Sequence, residues 1–318
     1  MRIVNSFKLA FANIKVTAKS MIVRLILFLA AFGCIYAWFY TSLKGFFTSD
    51  SWKMLCSNLK NCFSAFKSGE NGAAYTHAIS DSVADCFKVL MQERGAIALA
   101  LCGTILIFCI FSYLVGLADF GSAYLVNDYM MSLTKSSYMT SIFKDFRRNL
   151  LYNLIYVAIN LSAFILFAVF CGLMFVYGIK VLSIFVFPLV VVVYVMAKAL
   201  KRTWVSQALP DVIIGKNKVV SAYSNSAKKT KGHFGKSYTT YLVATLVNFY
   251  VQISGAIVTF GASLIFTLPF ARVFFINLQF IDYSLINGIK FYADYDHVIV
   301  PKALRENDET LLNGVDMD

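Results

Sequence analysis

Long uncharged hydrophobic stretches alternate with shorter polar segments along the whole chain. A helix needs about 20 apolar residues, and no fewer than about 17, to cross the hydrocarbon layer of a bilayer. Six stretches lie near or above that length, so the pattern predicts an all-α polytopic membrane bundle, a single membrane domain over residues 1–318. The predicted spans are Met21–Tyr40, Ile97–Leu117, Ile155–Tyr177, Val181–Met196, Leu242–Phe266 and Val273–Ile289.

The overall composition agrees with lipid as the solvent. The chain of 318 residues is 59% hydrophobic and 14% charged, whereas a soluble protein carries about 25% charged residues. Its net charge of +12 would suit nucleic acid if it formed one continuous basic face on a folded domain. Here the basic residues lie in separate loops between apolar stretches, so the sequence argues against nucleic acid as a partner.

The position of those loops predicts the orientation, because Lys and Arg are retained on the cytoplasmic side of a membrane. Residues 2–24, 135–148 and 198–236 are basic, whereas residues 41–94 are nearly balanced in charge. Alternation of the spans then places both termini in the cytoplasm of a cell membrane, residues 41–94 in an extracytoplasmic loop, and the acidic residues 292–318 in a cytoplasmic tail.

The predicted spans also indicate where two arginines near their ends lie relative to the membrane. We expect Arg24, at the cytoplasmic end of the first span, to reach the lipid headgroups, because a long basic side chain can extend its charge to the interface. Arg272 falls in the short connection between the fifth and sixth spans, on the opposite side of the membrane.

Residues 1–20 have the pattern of an amphipathic helix that lies in the headgroup layer, with apolar residues on one side and lysines mostly off it. A serine followed by an aromatic residue shortly before a span occurs three times. Two explanations stay open: three repeats of interfacial helix, outward span and inward span, or the ordinary appearance of any basic loop that enters a membrane. The three segments are Ser6–Lys8, Ser141–Lys144 and Ser221–Tyr223.

Several of these features together resemble a known group of proteins. GSAYLVNDY (residues 121–129), IFKDFRRN (residues 142–149), Pro210 after a long fourth helix, and the layout of three hairpins resemble bacterial six-span integral membrane families of unknown function. The families are of the Firmicutes type and include relatives fused to glycerophosphodiester phosphodiesterases. The resemblance covers most of the chain and implies a six-span fold. Because no phosphodiesterase domain is present, it implies no catalytic residues here.

Polar groups inside the predicted spans are the candidate functional residues, because a charge in hydrocarbon is costly unless it is paired or hydrated. Asp282 is the only acid within the six predicted spans, and Gln279 lies on the same helical face. One explanation is a polar path for a substrate, ion or proton between spans five and six. Span six is the least apolar of the six predicted spans. The other is hydrogen bonding between helices. The path residues would be Asn248, Gln252, Asn277, Gln279 and Asp282.

The sequence offers no pattern typical of catalysis, a metal site or a cofactor. Its three histidines lie in different segments, with no second ligand at usable spacing. Residues 230–237 imitate the end of a phosphate-binding loop, but Thr230 stands where that motif requires glycine and no strand precedes it. Cys56, Cys62 and Cys86 of the outer loop leave open both a disulfide and free thiols.

These features predict a non-enzymatic membrane protein that acts by binding, as an accessory or scaffold component of a membrane assembly. Its partners would be the lipid bilayer and a membrane or cytoplasmic protein that engages the basic loops. The alternative is a small transporter or permease with its polar path between spans five and six.

Overall fold

A computed structural model describes residues 2–68, 74–134, 136–174, 185–294, 297–301 and 304 of the chain. It confirms the all-α prediction, and a small antiparallel hairpin follows the last helix. The helices are α1 (Arg2–Ala12), α2 (Ile14–Ser42), α3 (Lys44–Thr48), α4 (Asp50–Lys67), α5 (Ala74–Gln92), α6 (Arg94–Ser132), α7 (Tyr138–Phe143), α8 (Phe146–Leu173), α9 (Val186–Val205), α10 (Ala208–Ile213), α11 (Val219–Lys231), α12 (Phe234–Val258) and α13 (Leu264–Ile286). The strands are β1 (Phe291–Asp294) and β2 (His297–Ile299).

Within the described residues, five helices are long and apolar enough to cross a membrane: α2, α6, α8, α12 and α13. The protein therefore has the helices of a multi-pass membrane protein, and the described residues contain five such helices where the sequence predicted six. The fourth predicted span, Val181–Met196, lies partly outside the described residues. The helix that continues it, α9, carries Lys198, Lys201 and Arg202 in its second half, and these charges lower its apolar character.

Several boundaries also differ from the prediction, because charged residues were taken as the ends of spans. The predicted second span stops at Leu117, whereas α6 continues to Ser132 and includes Asp119. The predicted fifth span runs through the break at residues 259–263, which separates α12 from α13. Arg272 consequently lies inside α13 and not in an outer connection.

Three short helices, α1, α7 and α11, each lead into a long helix, and we call them the leading helices. Only Asn13 separates α1 from α2, and only Gly232 and His233 separate α11 from α12. Between α7 and α8 the chain turns at Asp145, whose φ of 53° is left-handed. After each leading helix the chain runs through further helices and ends that segment with a long helix. These three final helices are α6, α9 and α13, and we call them the returning helices.

The chain divides into two compact units, and residues 1–27 with 112–318 form the first. Its core lies where the leading helices pack on the C-terminal parts of the returning helices, with Phe120, Tyr129 and Phe280 fully buried. From Val273 to Ser284 all residues of α13 except Gln279 are buried. Since a lipid-facing helix exposes one side, this half of α13 is surrounded by protein.

The short hairpin at the end of this unit begins the predicted acidic tail. Phe291 of β1 pairs with Ile299 of β2, and both side chains are buried in the same core. The hairpin is therefore partly packed against the bundle through Phe291, Ala293 and Ile299. Residues 302–303 and 305–318 of the tail lie outside the described residues.

Residues 28–111 form the second unit, which contains the predicted outer loop. Its helices α4 and α5 pack against each other, with the Asn58 side-chain amide donating to Ser82 Oγ at 2.9 Å. Phe46 and Trp52 pack with ring centroids 5.3 Å apart. The segment between the first two spans is thus a folded helical hairpin.

Candidate functional site

Asp282, the acid singled out in the sequence, lies on α13 and is fully buried. Its carboxylate forms an ion pair with Arg2 of the leading helix α1. It also accepts hydrogen bonds from Ser237 Oγ of α12 at 3.1 Å and from the Gln207 side-chain amide at 3.1 Å. Four separate segments therefore meet at this one carboxylate, and the nearby residues Lys290 and Arg272 are not among its ion-pair partners in the described part.

The other predicted path residues are placed apart from Asp282. Asn277 is buried and donates to the Ser6 carbonyl at 3.4 Å, whereas Gln279 is half-buried. On α12 the Gln252 amide donates to Asn248 Oδ1 at 3.4 Å. The structure therefore divides the five residues between two helices, with Asn277 and Asp282 engaged against α1.

Asn248 faces a pocket of about 320 Å³ between α1, α2, α12 and α13. Most of its lining is aliphatic or aromatic, and Asn248 and Thr267 are its polar members. The Thr267 hydroxyl is buried and has no hydrogen-bond partner among the described residues. The lining is Ile3, Phe7, Met21, Ala244, Val247, Asn248, Val251, Phe266, Thr267, Phe270, Ala271 and Phe274.

The pairing of Asp282 has counterparts near the ends of the other two returning helices. Asp211, in α10 directly after α9, is buried and binds Lys229 of α11 at 2.8 Å. Asp128 of α6 lies 3.9 Å from Lys144, which follows α7. Each of the three leading helices is thus tied, by itself or by the residue after it, to an aspartate near the end of a returning helix.

A second group of charges lies deeper along the same helices. Asp119 of α6 binds Arg24 of α2 at 2.7 Å and Arg272 of α13 at 2.8 Å. Arg24 is only 3% exposed, and its guanidinium also donates to Ser122 Oγ at 3.4 Å. The expectation that Arg24 extends to the headgroups is therefore wrong, because Asp119 neutralises it inside the bundle.

Three further cations enter this group from α9. Lys198 donates to the Tyr194 hydroxyl at 2.8 Å, and Lys201 donates to Asn160 Oδ1 of α8 at 2.5 Å. Arg202 donates to Thr245 Oγ1 of α12 at 2.9 Å, and its guanidinium carbon lies 3.3 Å from the centre of the Phe275 ring. We call Arg24, Asp119, Lys198, Lys201, Arg202 and Arg272 the charge layer.

The layer has a regular place in the sequence. Asp119, Arg202 and Arg272 precede Asp128, Asp211 and Asp282, respectively, by nine or ten residues. Within a single helix, as in α6 and α13, this separation is roughly 14 Å. Sequence reasoning missed the layer because it assigned the α9 cations to a cytoplasmic loop. The available signal was their spacing at i, i+3 and i+4, which places them on one helical face.

The chain matches no protein-family model, and comparisons with curated proteins and with solved structures gave no significant match. Its class is therefore defined by its own residues: a multi-pass helical membrane protein with charged side chains paired between its helices. The resemblance to six-span bacterial families remains an expectation from the sequence.

Proposed function

We propose that the protein is a non-enzymatic accessory component of a membrane assembly, and that an acidic segment of a partner protein binds its basic segment, residues 216–236. The observation that carries the proposal is the exposure of the lysines in this segment. Opposite charges on two surfaces accelerate their association and exclude wrong partners. The exposed lysines are Lys216, Lys218, Lys228, Lys231 and Lys236.

The basic segment is held firmly, which favours a docking surface over a loose tether. Lys229 is bound to Asp211, and Ser226 Oγ donates to the Trp204 carbonyl at 2.6 Å. The Tyr223 hydroxyl donates to the Tyr152 carbonyl at 3.3 Å. Burial raises the pKa of Tyr223, so the hydroxyl keeps its proton as a donor at physiological pH. A preordered surface loses less entropy when a partner binds.

The proposal places this segment and both termini in the cytoplasm, with α9 crossing the membrane beside the five helices named above. Basic segments on one side of the membrane support that orientation. Fusion of a reporter such as green fluorescent protein, which matures in the cytoplasm, to either end should give fluorescent cells. A fluorescent N-terminal fusion with a dark C-terminal one would contradict an even number of spans.

Co-purification in a mild detergent tests the accessory role. Replacement of Lys216, Lys218 and Lys228 by Glu should abolish a complex that the unchanged protein retains. The matched control carries the same number of Lys-to-Glu changes at exposed positions of the other unit, Lys44, Lys60 and Lys67, and should keep the complex. A lone monomer from unchanged protein, even after chemical crosslinking in membranes, would count against the proposal.

A transporter is the second candidate, and the pocket that Asn248 and Thr267 line between α12 and α13 favours it. If that pocket is part of a path for a proton or ion, Asn248→Leu should abolish dye-monitored flux into vesicles that contain the purified protein. Thr239→Val, an exposed position on the same helix, is the control. Equal flux in both variants and the unchanged protein would dismiss this path.

A further inference from the structure

The charge layer contains more positive charge than the described residues neutralise. It holds five cationic side chains and one carboxylate in the part of the chain that the structure describes, and both oxygens of that carboxylate, Asp119, are bound by Arg24 and Arg272. Lys198, Lys201 and Arg202 donate to neutral oxygens instead. Because unpaired charge between membrane helices is costly, this surplus among the described residues favours a bound anion.

The surplus cations also act on one another. Lys198, Lys201 and Arg202 share one face of α9, and the Arg202 guanidinium lies 3.3 Å from the centre of the Phe275 ring, three residues after Arg272 on α13. On a helix, like charges at i, i+3 and i, i+4 destabilise it, so α9 carries its three cations at a cost. An anion placed between them would convert this repulsion into attraction.

The same four side chains remain reachable. Lys198, Lys201 and Arg202 are half-buried, and Arg272 keeps 42% of its side-chain surface. Arg24, in contrast, is enclosed at 3%. The enclosed arginine therefore serves to hold Asp119, and Asp119 in turn orients Arg272, whereas the α9 cations and Arg272 can contact a bound molecule.

We propose that the charge layer binds a phosphate-type anion, with Lys201, Arg202 and Arg272 as its direct ligands and Lys198 adding charge. A planar guanidinium matches two phosphate oxygens at once, and a lysine ammonium adds a point charge. Asn160 and Thr245 hold Lys201 and Arg202 from the neighbouring helices. The phosphate group can belong to an anionic lipid headgroup or to a free phosphate, and the chemistry of recognition is the same.

The inference goes beyond the proposed function, because it concerns groups inside the bundle and not the basic segment. Its test uses purified full-length protein and follows the unfolding temperature by tryptophan fluorescence. One arm compares inorganic phosphate with potassium chloride at equal ionic strength. The other compares mixed micelles containing phosphatidylglycerol with micelles containing phosphatidylcholine. We expect stabilisation in the phosphate arm for a free ligand, or in the phosphatidylglycerol arm alone for a headgroup.

Variants separate the site from general charge effects. Lys201→Gln should weaken the apparent affinity for the stabilising anion about tenfold or more, the loss expected for one charge-assisted hydrogen bond. Lys218→Gln makes the same change at an exposed position of the basic segment and should leave the affinity unchanged. Lys198→Gln is the second site variant if Lys201→Gln does not fold.

Three results would overturn the inference. They are no stabilisation in either arm, equal stabilisation of the site variants and the unchanged protein, and an equal loss of affinity in Lys218→Gln. None of these measurements involves a partner protein. Failure of the anion site and failure of the accessory role are therefore distinguishable, because the second is decided by co-purification alone.

Discussion

Asp282, near the end of α13, is ion-paired with Arg2, near the beginning of the chain. The carboxylate is fully buried and the arginine side chain is 18% exposed. Because α1 is the first helix of the described residues and α13 is the last, this pair joins the two ends of the first unit. The pairs Asp211–Lys229 and Asp128–Lys144 join consecutive segments in the same way.

Arg2→Gln should destabilise the protein by about 3 kcal/mol, because it leaves the Asp282 carboxylate buried without a positive partner. Asp282→Asn should cost less, since an amide can still accept from Ser237 and Gln207. The double variant should lose less stability than the two single losses added together. Unfolding of the purified protein in detergent, monitored against temperature or denaturant, measures all three.

The control for this prediction is Lys53→Gln, which removes an exposed ion pair with Asp50 in the other unit. Exposed pairs of this kind contribute little to stability. A loss in Lys53→Gln as large as that in Arg2→Gln would show that the effect is one of total charge and not of the buried pair.

Asp119→Asn should have two opposite effects. Without anion it should destabilise the protein by about 3 kcal/mol, because the enclosed Arg24 loses its carboxylate. With anion present, the stabilisation should be larger than in the unchanged protein, since the net positive charge of the layer increases. Unfolding temperatures with and without the anion of the previous section provide both values. If anion stabilises Asp119→Asn less than the unchanged protein, the carboxylate is part of the binding surface.

Gly116→Ala should destabilise the protein by about 1–3 kcal/mol, the usual cost of overfilling a packed site. A Cβ atom at Gly116 on α6 would collide with the Asn153 side chain of α8. Asn153 is itself buried and donates to Asn149 Oδ1 at 2.6 Å, so it cannot move without losing that bond. Gly172→Ala is the matched control, because a Cβ atom there meets open space. Unfolding in detergent compares the two, and equal losses would refute this close contact.

Cys56 and Cys86 should react with alkylating reagents at different rates. Cys56 is exposed, whereas Cys86 is buried, and desolvation together with the neighbouring Asp85 raises the pKa of the Cys86 thiol. The thiolate is the reactive form, so the raised pKa and the burial of Cys86 should both make its labelling slower than that of the exposed Cys56. Mass spectrometry after timed treatment with a membrane-impermeant maleimide between pH 7 and 9 measures both rates. Faster labelling of Cys86 would contradict the packing of α5.

Part of the fold could be predicted because the hydrophobic pattern reports directly on the solvent. The long apolar stretches around Phe32 and Leu166 became helices with these side chains exposed, as expected where lipid is the surroundings. Charge was a less reliable guide to the ends of the spans. A charged residue marks the end of a span only if it is hydrated, and not if an opposite charge inside the bundle neutralises it. Asp119, Arg24 and Arg272 neutralise one another, so the helices continue through them.

The candidate site illustrates the same limit. Asp282 and Asn277 were singled out because polar residues in an apolar stretch need partners, and the structure provides them. The identity of those partners was not predictable, since Arg2 lies at the far end of the sequence and had been grouped with the residues of an interfacial helix.

The sequence by itself determined that this is a helical membrane protein, because local composition sets which stretches dissolve in lipid and the backbone must then satisfy its own hydrogen bonds as a helix. Only the tertiary structure decided which charges neutralise each other and which remain without a carboxylate. Those pairings depend on distances between segments remote in sequence, and so does the surplus of positive charge around Lys201 and Arg202.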